Sequence, residues 1–167
     1  KFGNDSNIYL YHYNKQKHVK KTDKVWKPKF INSYFQQGYR IFSFFFNIKG
    51  VLNMIQNEKY DDNTVIILSR VDIGLKLYNE TKILNLLNEY DIILGNRTNV
   101  HGTDSKAFIF KYKYIDVFTS LYDSYELYIL DKKLNNPNSV VTTCPEDIVM
   151  YHLKKKNMKY IFTGDTI

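Results

Sequence analysis

Residues 60–74, YDDNTVIILSRVDIG, set a short apolar run between polar flanks. Val65, Ile66 and Ile67 are β-branched, Leu68 completes the run, and Ser69-Arg70-Val71-Asp72 ends it. Continuous apolar residues, in place of an alternating pattern, mark a strand buried on both faces, as in a parallel sheet. Open α/β sheets bind ligands just beyond the carboxyl ends of such strands. An aspartate there has the oxygens a hard divalent cation needs, and an arginine suits a phosphate. The same four residues also fit a plain turn with a surface arginine, so the segment needs its context.

The rest of the chain alternates in the same way. Asn7 to Tyr13 predicts a strand, and residues 14–37 a polar loop carrying Trp26 and Pro28. Such a long loop is unusual inside a compact domain unless it has a function. A helix is expected from Gly38 to Glu58, with Ile41, Phe45, Ile48, Leu52 and Ile55 on one face. After the strand Thr64 to Ser69, Asn79 is placed to cap a short helix that turns Ile83, Leu86 and Leu87 inward. Asp91 to Leu94 predicts a buried strand closed by Gly95, and Ala107 to Phe110 another. A helix follows with Ile115, Phe118, Tyr122, Tyr125 and Ile129 on one face. Lys132 to Ser139, with Asn135-Asn136-Pro137, is a loop. Pro145 suits a helix's first turn, and Ile148, Val149 and His152 its buried side. Lys159 to Phe162 predicts a last strand. Strands and helices in alternation define an α/β domain. No internal repeat or boundary divides it, so residues 1–167 are expected to form one domain, and 167 residues suffice for a core.

Composition narrows the partners. The net charge of +7 favours anions such as phosphate, nucleotide or nucleic acid. Seven lysines lie between Lys15 and Lys29, a candidate anion-binding loop in which Trp26, Tyr34 and Phe35 offer stacking surfaces. Lys154-Lys155-Lys156 instead ends a helix, where cations suit the negative dipole end. No run of 18 apolar residues exists, so no membrane span is expected. Lys1 to Tyr13 lacks the apolar stretch of a secretory signal, and the chain opens on lysine, not methionine. The single cysteine, Cys144, excludes an internal disulfide and fits a cytoplasmic setting, in the producing cell or a host. Sequons occur at Asn4, Asn79 and Asn96, as chance allows in an Asn-rich chain.

Two constellations carry chemistry. If strands 64–69 and 91–94 lie side by side in a parallel sheet, their following loops meet in one cleft. That cleft would gather Arg70, Asp72, Asn96, Arg97, His101 and Asp104. Two carboxylates, two arginines and a histidine suit a metal-bound diphosphate, with guanidinium forks on the phosphate oxygens. The second is Glu80-Thr81-Lys82, downstream of Asp72. It has the carboxylates and lysine of a metal-dependent nuclease, but it opens a helix, whereas the nuclease residues lie on paired strands. No G-x-G-x-x-G, Walker A or H-E-x-x-H motif is present, and four scattered histidines with one cysteine argue against structural zinc.

In order and spacing, four segments resemble the glycosyltransferase-like proteins of large DNA viruses and bacterial polysaccharide gene clusters. NIYLYHYN (7–14) is similar to a family strand of the form D-x-F-x-H-x-W-N. YDDNTVIILSRVD (60–72) resembles Y-D-x-V-I-x-x-R-x-D with one extra residue. TDSKAFIFKYKYIDVFTSLYDSY (103–125) resembles the family's aspartate loop, strand and helix ending in Leu-Tyr. PEDIVMYHL (145–153) resembles P-E-x-x-x-x-x-H-L. The resemblance implies a GT-A-type, Rossmann-like fold, a mostly parallel sheet flanked by helices, here lacking an N-terminal element. It further implies sugar transfer from a nucleoside-diphosphate sugar to a glycan or other hydroxyl acceptor. Asp72 would hold Mn2+ or Mg2+ on the diphosphate, Arg70 would pair with phosphate, and Asp104 would face the sugar or acceptor, as base if the reaction inverts. Many such transferases carry D-x-D where Arg70-Val71-Asp72 has one carboxylate. The alternatives are a metal-dependent nuclease or basic nucleic-acid-binding module, and a non-catalytic carbohydrate-binding remnant.

Overall fold

The computed structural model describes residues 38–69, 79–95, 107–130 and 145–163. In chain order these form α1 (Gly38–Gln56), β1 (Val65–Ser69), α2 (Glu80–Glu89), β2 (Ile92–Leu94), β3 (Ala107–Lys111), a single 3-10 turn (Tyr112–Tyr114), α3 (Ile115–Leu130), α4 (Pro145–Lys155) and β4 (Tyr160–Phe162). The strands make one four-stranded sheet in the order β1-β3-β2-β4. β3 is antiparallel to both β1 and β2, and β4 pairs in parallel with β2. The fold is thus α/β, as the alternation predicts, but the sheet is mixed. β1 and β2 point the same way, as expected, yet they are not neighbours, because β3 returns between them. The chain from β2 to β3 is a reversal that needs no crossover helix, and an apolar run carries no sign of its direction.

The pleat sorts the side chains into two layers. Ile66, Leu68, Phe108, Phe110, Ile92 and Leu94 share the main core with Phe45, Leu52, Phe118, Tyr125, Val149 and Leu153 from α1, α3 and α4. On the other face Ile93 and Ile109 pack with Ile83 and Leu87 of α2. The register lines up Ile67, Ile109, Ile93 and Ile161 in one row across all four strands. Alternating positions that are all apolar make each strand read as a continuous run, but β1, an end strand of the sheet, is not buried on both faces as its run predicts: Ile66 is buried and Ile67 is exposed.

α1 and α3 lie antiparallel. Lys49 bonds Asp123 at 2.6 Å, whereas Gln56, seven residues later, donates to Asp116 at 2.7 Å, seven residues earlier. Phe45 meets Tyr125 at 5.1 Å between centroids. The ion pair is at the surface, with Asp123 largely exposed, and contributes at most about 1 kcal/mol. The buried rings hold the pair of helices together. α4 ends in a Schellman motif: Met158 N–H donates to Leu153 C=O (3.0 Å), Asn157 N–H to Lys154 C=O (3.1 Å), and Asn157 takes φ 54°.

α2 begins as its sequence predicts. The Asn79 side chain accepts from Lys82 N–H at 3.0 Å, satisfying a donor that the first turn leaves open. Asn79→Ala is expected to cost about 1 kcal/mol in urea unfolding, and Asn79→Asp to cost little, because aspartate caps as well. Equal losses for both would remove the cap as the cause.

Candidate functional site

The paired residues define the two ends of the sheet. Ser69, the last residue of β1, pairs with Ala107, the first of β3. Leu94, the last of β2, pairs with both Phe108 and Phe162, and Gly95 N–H donates to Ala107 C=O at 3.2 Å. Thr163 then closes β4 onto β2, its N–H and hydroxyl each 3.2 Å from Leu94 C=O. The carboxyl ends of β1, β2 and β4 and the start of β3 therefore share one edge.

The helices point the same way. α3 starts one turn after the other end of β3, so its far end lies toward the carboxyl edge, and antiparallel α1 has its first turn there. α2 and α4 are followed within a few residues by the starts of β2 and β4. Their first turns therefore also lie toward the carboxyl edge. The positive dipole ends of α1 and α4 on one face of the sheet, and of α2 on the other, thus lie toward that end of the molecule.

Arg70, Asp72, Asn96, Arg97, His101 and Asp104 lie outside the described residues. So do Asn7 to Tyr13, Lys15 to Lys29, Trp26, Tyr34, Phe35 and Cys144. What the fold gives is their attachment: Arg70 follows Ser69, Asn96 follows Gly95, and the chain re-enters the sheet at Ala107. Both segments are therefore tethered to the same edge, although through β3 and not as parallel neighbours. Glu80, Thr81 and Lys82 form the first turn of α2, so they do not have the paired-strand placement of the nuclease arrangement. Among the described residues, no group of three His, Cys, Asp or Glu side chains is placed to hold a metal.

The opposite edge has a structural lock that the sequence did not signal. One oxygen of Asp91 accepts from the Tyr114 hydroxyl, and the other accepts from Lys159 N–H at 2.8 Å. The lock ties the 3-10 turn to the starts of β2 and β4. The hydrogen bond to Asp91, with burial, pushes the Tyr114 hydroxyl above its usual pKa. Asp91 reads as an ordinary strand-leading aspartate, because its partners are 23 and 68 residues away.

No protein-family model, curated protein or solved structure matches this chain. Among the described residues, no helix is long and apolar enough to cross a membrane.

Proposed function

We propose that the chain is a metal-assisted glycosyltransferase, moving a sugar from a nucleoside-diphosphate sugar to a glycan or other hydroxyl acceptor. The observation that supports this most is the common edge: the segments bearing Arg70, Asp72, Asn96, Arg97, His101 and Asp104 both leave the sheet where β1 and β2 end. That edge is where α/β sheets bind ligands, and helix N-termini directed toward it favour an anion such as a diphosphate. In this reading Asp72 holds Mn2+ or Mg2+, Arg70, Asn96, Arg97 and His101 bind the nucleotide sugar, and Asp104 serves sugar or acceptor.

A thermal-shift screen of nucleotide sugars with and without manganese tests it. A ligand at 100 times its Kd stabilises the folded state by about 2.7 kcal/mol, which raises Tm by several degrees. No shift with any nucleotide sugar in either metal state would refute the reading. Nucleic acid is expected to bind only at low salt, through counterion release. Tight binding at physiological salt, or cleavage depending on Glu80 and Lys82, would replace the transferase with the nucleic-acid alternative.

A further inference from the structure

His152 is fully buried on the inner side of α4, and its ring bridges to α3. Nε2 lies 2.6 Å from Val117 C=O, and Nδ1 lies 2.6 Å from the Tyr128 hydroxyl. A carbonyl only accepts, so Nε2 carries the proton and donates. Nδ1 is then left with a lone pair, which accepts from Tyr128 O–H. The neutral ring is fully satisfied in this one tautomer. The Ser120 hydroxyl, 3.4 Å from Nε2, is itself within 3.0 Å of Val117 C=O and donates there.

The charged ring has no such fit. A second proton on Nδ1 would face the Tyr128 hydroxyl and displace its donated hydrogen. The groups facing His152 from α3 are the Val117 carbonyl, Ser120 and Tyr128. The two described carboxylates of α3 are turned to α1, Asp116 to Gln56 and Asp123 to Lys49. One residue beyond the end of its own helix, Lys156 repels a cation on the ring. The sheet side of α4 is apolar, with Leu94 and Phe108 in the same core.

We infer that α4 and β4 form an acid-released unit, clamped to the rest of the domain at neutral pH by the buried, uncharged His152. α4 leads directly into β4, an end strand of the sheet that is paired only to β2 among the described residues. Losing the α4–α3 clamp leaves the unit held by the apolar side of α4, by the ladder of β4 on β2 and by the Asp91–Lys159 and Thr163–Leu94 bonds. Thr163 would then leave Leu94, opening the carboxyl edge. The device does not depend on the transferase reading.

Burial, with Lys156 adding to it, lowers the imidazole from its ordinary 6.5 to about 4, against the raising effect of the Val117 carbonyl. A lowered folded-state value means that the proton binds the released state more readily. The clamp is therefore complete above about pH 6.5 and is lost as the pH falls toward 4.

Hydrogen exchange of the full chain, corrected for intrinsic rates, reads this directly. Peptides covering 145–163 are expected to lose about 30-fold in protection between pH 7.5 and pH 5, with β1 and β3 losing much less. His152→Gln, which can still donate to Val117 and accept from Tyr128 but does not titrate there, is expected to remove that dependence. Uniform loss across all strands, or an unchanged pH dependence in the variant, would overturn the inference. If the variant does not fold, carbon-13 titration of the wild-type His152 ring decides: a value below 5 supports the clamp, and one of 5 or above refutes it.

Discussion

Asp72→Asn is expected to abolish manganese-dependent binding of nucleoside-diphosphate sugars while the apo protein unfolds at the same temperature. Asp72 follows Ser69, the last residue of β1, by three residues, and the carboxyl ends of strands are where α/β sheets bind ligands. Asparagine keeps the shape and one carbonyl oxygen but removes the charge that a small, hard cation requires. Arg70-Val71-Asp72 has a single carboxylate, so no neighbouring acid within that tripeptide compensates. A loss of roughly 100-fold or more in affinity is expected by calorimetry, at least the size seen when a ligand's supporting partner is removed. Unchanged binding of UDP and GDP sugars in manganese would rule out Asp72 as the metal ligand. The apo melting temperature separates this from a folding defect.

The largest loss of stability is expected from Phe110→Ala. Phe110 is fully buried, pairs in register with Ile66 on one side and Ile92 on the other, and stacks on Phe118 at 4.4 Å. Its ring therefore joins three strands to α3. Removing it forfeits transfer energy and leaves a cavity that two flanking strands cannot close, a cost of about 3–5 kcal/mol. That is a large share of the stability of an ordinary domain, about 5–15 kcal/mol, and lowers Tm by roughly 10 °C. Leu127→Ala, on the outer side of α3 with 68% of the residue exposed, is expected to change stability by under about 0.5 kcal/mol. Equal effects in urea titrations would place the core elsewhere.

Local chemistry made most of the elements legible. Phe45, Ile48, Leu52 and Ile55 recur at helical spacing and are buried in α1, Asn79 caps α2, and Pro145 opens α4. Each of these depends on residues within a turn or two of one another. Strand order is different in kind. The apolar runs at Val65–Ser69, Ile92–Leu94 and Ala107–Lys111 look alike whichever way they pair, so nothing in them places β3 between β1 and β2. Asp91 was equally opaque, since its two partners come from distant turns. His152 was legible as a buried residue, but not as a clamp, because Val117 and Tyr128 are remote in sequence. The six candidate ligand residues were chosen by type and by the strands they follow. The fold bears on their tethering to one edge and not on their positions.

The connections at the amino edge are short and closely bonded: Thr64 N–H to Asp61, Tyr112 N–H to Thr64, Lys113 N–H to Asp62, and the Asp91 lock. Every segment that bears a candidate ligand residue joins at the other edge. Under the proposed function, folding and recognition fall at opposite ends of the sheet. A library that randomises 70–78 and 96–106 would sample new specificities on an unaltered foundation, whereas the same diversity spent on 57–64 or 156–159 would be consumed by unfolded clones. The amino pole is also the place to tether the protein to a surface or a fusion partner, since attachment there leaves the proposed ligand edge pointing outward.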